Sequence, residues 1–278
     1  MKYLNIGCGN FYSKKDIWTN LDFASNDKYV IEHNLLQGVP FDDRSFDFVY
    51  HSHVLEHFSK NDGLKLLQEC FRVLNSGGIL RIAIPDLERI ARNYILWLDK
   101  GIQNPDDDVV RANYNWMLLE MYDQTVRNTP GGQMAQYLFQ DKIINEDFVY
   151  ERIGYEGKSI RENYLKNLQN KDKLTPQIKK SIRTTIRTIR TIISLRWLIS
   201  KSESDYNTIG RFRLGGEIHQ WMYDRYSLSH LLTKIGFTDI KITDACNSYL
   251  ADWNDYQLDA TQGVTRKPDS LFIEVKKP

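Results

Sequence analysis

The sequence predicts an α/β fold, one sheet-based domain interrupted by a helical insertion, and three observations carry that reading. Residues 1–98 alternate short β-rich apolar runs with loops and helical stretches. Residues 216–278 return to the same texture. Between them, residues 99–215 are polar, rich in Asn and Tyr, and carry no good run of strands. We read 1–98 with 216–278 as one sheet and 99–215 as a helical insertion forming a lid or small lobe, expected to bind the substrate.

The elements follow in order. Residues 3–6 form a short strand running into Gly7-Cys8-Gly9. Strands over 18–23, 29–33 and 46–51 come next, and 79–85 (ILRIAIP) is the clearest strand of all. Residues 63–74 place Leu64, Leu67, Cys70, Phe71 and Leu74 on one helical face. Ser76-Gly77-Gly78 is expected to stop that helix, because glycine accepts the left-handed conformation of a C-terminal cap. In the last section, 226–235 reads as a helix ended by Gly236, with strands over 237–242 and 270–276. The polar connection 249–268 reads as a surface loop or a mobile edge.

Composition excludes several classes. Hydrophobic residues make up 41% and charged residues 26% of 278 residues, so disorder and fibrous architectures fall away. Lys and Arg number 37 against 36 Asp and Glu, which leaves no overall electrostatic case for nucleic acid. Cys8, Cys70 and Cys246 are too few and too scattered for a disulfide framework or a zinc ribbon. No apolar run reaches membrane-spanning length and the start has no signal-peptide pattern, so a cytoplasmic protein is expected.

A strand that ends in Gly-x-Gly lets a ligand approach the backbone at Gly7 and Gly9 and lie across the carboxyl edge of the sheet. Asp22, closing the next strand, can accept two hydrogen bonds from a ribose diol. The third glycine of the dinucleotide fingerprint is missing, and Asp22 arrives sooner than the roughly 20-residue spacing of that fingerprint, which argues against NAD.

LNIGCGN, TNLDF, NLLQGVPFDDRSFDFVYHSHVLEHF and ECFRVLNSGGILRIAIPDL, in this order, resemble the core of a class I S-adenosylmethionine-dependent methyltransferase. GEIHQWMYDRYSL and KPDSLFIEVKK resemble the C-terminal signature of the branch associated with bacterial surface-polysaccharide biosynthesis. The resemblance covers 1–98 and 216–278. It implies a Rossmann-like, mostly parallel sheet with an antiparallel C-terminal edge strand, and S-adenosyl-L-methionine as cofactor. By the same resemblance, Gly7, Cys8 and Gly9 border the methionyl part of the donor and Asp22 holds the ribose. Asn34 and Leu35 flank the adenine, and His51 and Ser52 face the sulfonium. Asn5 stands where many relatives carry an acid.

The reaction so implied needs alignment, exclusion of water and, for an alcohol, removal of a proton. His53, His219 and Asp86 are the candidate bases. Trp221 and Tyr223 are candidates to stack on the acceptor, against a plain core role. No Asn/Asp-Pro-Pro-Tyr motif follows the fourth strand, which favours an oxygen over a nitrogen acceptor. His53-Val54-Leu55-Glu56-His57 has the spacing that puts two imidazoles and a carboxylate on one helical face, and His219 could complete a metal site. The reading preferred here has no metal: Glu56 and His57 cap and anchor the helix while His53 alone reaches the pocket.

Residues 171–201 hold nine Lys/Arg and one Asp, a local charge of +8 in a chain of net charge +1. Ile178, Ile182, Ile186, Ile189 and Ile193 make one helical stripe and Lys179, Arg183, Arg187 and Arg190 another. This stretch faces the protein's own core, an anionic membrane surface by way of 176–200, or a phosphate-linked acceptor held by Arg183 and Arg187. The function expected is methylation of a hydroxyl on a sugar or related small molecule in cell-surface glycan assembly, at a site in the cytoplasm or peripheral to the inner membrane face. Two other readings stand beside it: a catalytically inactive interaction or membrane-docking protein, and a nucleic-acid methyltransferase.

Overall fold

A computed structural model of the chain describes residues 1–25, 27–172 and 203–278. The basic stretch, with Arg183, Arg187 and the contacts expected of it, lies outside the described residues. Among the described residues no helix is long and apolar enough to cross a membrane.

Seven strands form one sheet in the order β3-β2-β1-β4-β5-β9-β6. These are β1 (Tyr3–Ile6), β2 (Trp18–Asp22), β3 (Val30–Glu32), β4 (Phe46–Ser52), β5 (Leu74–Pro85), β6 (Thr238–Thr243) and β9 (Ser270–Lys276). A two-stranded ribbon, β7 (Ala260–Thr261) and β8 (Val264–Thr265), lies apart from it. β1 to β5 are parallel; β9 runs antiparallel to both β5 and β6. This is the Rossmann-like sheet expected, with the chain reversing direction of growth between β1 and β4, the place where open α/β sheets bind ligands.

All four residues of β1 are buried, as a central strand covered on both faces requires. Leu4 and Ile6 join Leu21, Val49, Leu80 and Ile82 under α1 (Lys60–Val73) and the later helix Arg225–Ile235. Tyr3 meets Trp18, Phe48 and Tyr50 on the opposite face, beneath Trp253 and Tyr256. The connection 249–268 is an ordered surface loop, as the first of the two expectations had it, but not a polar one throughout. Its aromatic side chains roof the second face of the sheet, and a short 3-10 helix at Trp253–Tyr256 delivers them.

Ser59 caps α1 by accepting from the Asp62 N–H at 3.2 Å. The helix ends at Val73, before the Ser76-Gly77-Gly78 signal, and β5 begins at Leu74. Lys277 supplies the missing stop: its ammonium donates to the carbonyls of Phe71 and Leu74, both at 2.7 Å. Gly77, at φ 76°, instead makes a bend inside β5 and donates to the Lys277 carbonyl at 2.7 Å.

Helices α2 (Leu87–Gln103), α3 (Asp108–Val126), α4 (Gly132–Leu138) and α5 (Glu146–Asp172, broken at Gly154) follow β5. α6 (Glu203–Leu214) and α7 (Arg225–Ile235) complete the set among the described residues. Ile90 of α2 packs with Trp116, Met117, Leu138, Ile143 and Val149, so α2 joins the helices of 99–172 in one apolar cluster. Within it Glu120 is buried, paired with Arg152 at 2.6 Å and accepting from the Trp116 indole at 2.6 Å.

Candidate active site

The pairing register sets Ile6 beside Leu21 and His51, so Gly7, Asp22 and Ser52 come level along the carboxyl edge of the sheet. Gly7 and Gly9 take φ of 63° and 51°, in the left-handed region that costs other residues free energy. A Cβ on Gly7 would stand 2.4 Å from a Val54 methyl, whereas one on Gly9 would meet nothing within 4 Å. Open space thus lies over Gly9. The Asp22 carboxylate reaches the same turn and accepts from the Gly9 N–H at 2.7 Å. Asn5 stabilises the turn from below: its amide donates to the Phe11 carbonyl at 3.0 Å. Cys8 is buried, and burial pushes its thiol up to about 12.

Asn34 and Leu35 open a 3-10 turn after β3, where the Asn34 side chain accepts from the Leu36 N–H at 3.0 Å. Arg266, which the sequence reading missed, arrives from the β8–β9 connection. Its guanidinium lies 3.4 Å from the centre of the Phe11 ring, beside the glycine turn, with Nε and Nη1 buried and unpaired. Apart from the Phe11 ring these two nitrogens have no partner, and such buried donors retain the capacity to bind an acceptor.

A cavity of about 370 Å³ opens next to this edge, between the ends of β4 and β5 and helices α3, α4 and α5. His53, Glu56, His57 and His219 all line it. His53 sits at φ 55°, a strained conformation for a residue with a side chain. Its Nε2 is 2.8 Å from the Ser270 hydroxyl and its Nδ1 3.2 Å from Glu56 Oε1. Glu56 is buried, and neither carboxylate oxygen has a well-aligned hydrogen bond. Burial raises its pKa, but the neighbouring imidazoles of His53, His219 and His57 outweigh that and hold it at about 2. Burial pushes His219 down to about 3 and His51 down to about 4, in each case against the pull of Glu56. Both rings are neutral at pH 7, and His51 has neither nitrogen paired.

Other predicted residues lie elsewhere. Asp86 is the N-cap of α2, accepting from the Arg89 N–H at 3.2 Å; it does not line the cavity. Tyr223 is core, packed under α1 with its hydroxyl against Gly63. Trp221 is 41% exposed, lies under the Lys60 ammonium and does not line the cavity. Met222, between them, does. Glu56 and His57 do not cap α1, because they form a 3-10 turn before its Ser59 cap. The polar walls of the cavity also include Gln124, Arg127, Glu217 and the Lys267–Glu156 ion pair at 3.2 Å.

Comparisons with known proteins bear on the sheet. A methyltransferase from Archaeoglobus fulgidus, described as dependent on S-adenosylmethionine, aligns over 99% of this chain and 86% of its own, at 12% identity and TM-score 0.37. A possible histamine N-methyltransferase from Thermotoga maritima aligns over 100% and 82%, at 12% identity and TM-score 0.39. A Haloferax volcanii complex of the Trm112 methyltransferase activator with a methyltransferase aligns over 32% of this chain and 47%, less than half, of that one, at 17% identity and TM-score 0.26. Scores this low leave the fold to be judged by the strand order itself. No curated protein matches the sequence. Residues 4–82 match the family model of a methyltransferase domain, a span that takes in the glycine turn, Asp22 and the segment from His53 to His57. That match covers 79 of the 278 residues and makes this part of the chain similar to a methyltransferase domain.

Proposed function

We propose that this chain methylates a hydroxyl of a small polar acceptor, with the donor over the glycine turn and the acceptor in the adjoining cavity. The observation that carries this reading is the placement of His53. It lines a cavity of about 370 Å³, within the size range of small-molecule sites, while the next residue, Val54, touches Gly7. Donor edge and acceptor cavity therefore share one wall.

The residues present fit the donor. Open space over Gly9 admits it, Asp22 faces the same turn for the ribose diol, and Arg266 offers two unpaired N–H groups for a carboxylate. Asn34, Leu35, Cys8, His51 and Ser52 complete the proposed cleft. When bound, S-adenosylmethionine supplies a methyl already activated on a sulfonium. The chain's own work is alignment, exclusion of water and acceptance of one proton. Glu56 orients the His53 ring through Nδ1, leaving Nε2, now against Ser270, as the proton acceptor.

The walls of both charge signs and the amide of Gln124 suit a molecule dense in hydroxyls, which supports a sugar or a related acceptor of cell-surface glycan assembly. The insertion 99–215 then serves as the acceptor lobe. The test is release of S-adenosylhomocysteine with a panel of sugars, nucleotide sugars, amines and tRNA. Turnover with hydroxyl acceptors alone supports the reading, and turnover with amines or tRNA alone refutes it. His53→Gln should lower turnover roughly 10²–10⁴-fold and leave donor affinity unchanged.

A further inference from the structure

Two chain segments far apart in sequence are locked together at the cavity wall. The Glu56 carbonyl accepts from the Gln220 and Trp221 N–H groups at 2.7 and 3.2 Å, and the Gln220 amide donates to the His57 carbonyl at 2.8 Å. This clamp brings the side chains of Glu56, His57 and His219 together, each offering a ligand atom within 4.8 Å of the others.

Three features distinguish the cluster from a set of hydrogen-bonded core residues. First, the Glu56 carboxylate is 1% exposed and meets His53 Nδ1 at 3.2 Å through Oε1, yet neither oxygen has a well-aligned hydrogen bond and Oε2 has no partner. Second, His57 Nδ1 is 3.2 Å from the Ile218 carbonyl. A carbonyl only accepts, so Nδ1 carries the proton and Nε2 keeps a free lone pair, the arrangement that orients metal-binding imidazoles. Third, His219 Nε2 stands 4.0 Å from Glu56 Oε1. That is too long for a hydrogen bond, and a small inward shift of either side chain brings the pair to the roughly 3.4 Å that two bonds of about 2.1 Å subtend at a tetrahedral centre.

We propose that Glu56, His57 and His219 bind a divalent transition-metal cation of the class that accepts mixed imidazole and carboxylate ligands, such as Mn²⁺, Fe²⁺, Co²⁺ or Zn²⁺. The sequence reading weighed a metal at this motif with His219 and preferred none. The cation has coordination positions facing the cavity, so it grips the acceptor hydroxyl, fixes its oxygen before His53 and favours loss of its proton. The role in turnover rests on the proposed methyl transfer; the binding of the cation does not.

The experiment titrates Co²⁺ into the metal-stripped full chain and reads the visible ligand-field band, with S-adenosylhomocysteine binding measured separately by calorimetry in chelator. One equivalent of Co²⁺ should give a saturable band that Zn²⁺ displaces. Glu56→Gln and His219→Ala should each weaken Co²⁺ binding at least tenfold. His230→Asn, which removes an imidazole on α7 outside the cavity, should leave it unchanged. Circular dichroism separates loss of ligands from loss of fold, and His57→Asn provides a third variant should one not fold. No band, or an equal band in the well-folded Glu56→Gln and His219→Ala chains, overturns the proposal. Homocysteine-product binding that persists in those cases leaves the methyltransferase reading standing; cobalt binding without it would leave the metal site and remove the methyltransferase.

Discussion

Replacing Asp22 by Ala tests the donor cleft at the residue with the most specific geometry. Its Oδ2 accepts from the Gly9 N–H at 2.7 Å, while Oδ1 has only a long 3.4 Å contact with the Ala24 N–H. The carboxylate thus retains capacity for a diol at the point where β2 ends. Hydrogen bonds to a charged acceptor contribute about 1.5–3 kcal/mol each. Part of that is offset, because water reaches the half-buried site in the variant. A net loss of roughly 1–3 kcal/mol, about 5- to 150-fold in Kd, follows. Calorimetric titration with S-adenosylhomocysteine reads the change directly, and urea unfolding checks that the Gly9 contact is not the dominant loss. An unchanged Kd in a folded variant would refute the ribose role of Asp22.

Two further outcomes concern the frame that holds the site. Arg81, fully buried, pairs with Asp259 at 2.8 Å and Glu274 at 2.9 Å. Arg81→Met leaves both carboxylates buried without a counter-ion, though Tyr50, Ser248 and Tyr249 still donate to them, and should cost about 3–5 kcal/mol in urea unfolding; a loss under about 1 kcal/mol would contradict the network. His51 titrates at about 4 in the fold because burial disfavours its charged form. The unfolded chain binds that proton near pH 6.5, so stability is full above that value and is lost as pH falls toward 4, by on the order of 3 kcal/mol. Urea midpoints that stay level between pH 7 and 4.5 would contradict a buried neutral His51, and His51→Asn should make the profile shallower, the remaining slope being that of His219.

The parts of the fold legible in the sequence were those set by neighbours in the chain. β1, its glycine turn and Asp22 lie within 22 residues, and local patterning sufficed for them. Long-range partners were not legible. The end of α1 depends on Lys277, over 200 residues away, so Gly77 looked like the stop and was not. Arg81, in the apolar run ILRIAIP, was a signal that an acid must come to meet it, but nothing local pointed to Asp259. Trp253 and Tyr256, aromatic residues in a polar stretch, were the available sign that 249–268 covers the sheet.

At the site, His53 and His219 were found because histidine spacing is visible in a sequence, and both do line the cavity. Tyr223 was misread because a motif does not show which of its alternating side chains points inward. Its neighbour Met222 takes the cavity wall instead. Asp86 followed a strand, as catalytic acids often do, but it also preceded α2, and the capping role claimed it. Arg266 and the polar walls from α3 to α5 carried no motif at all.

Photochemical cross-linking of isotopically labelled S-adenosylmethionine, followed by tryptic mapping, probes the donor's location without knowledge of the acceptor. The account predicts label in the peptides of residues 3–14 and 16–28, which carry the glycine turn and Asp22, and its competition by S-adenosylhomocysteine. Label confined to other peptides, or none that competes, would contradict it.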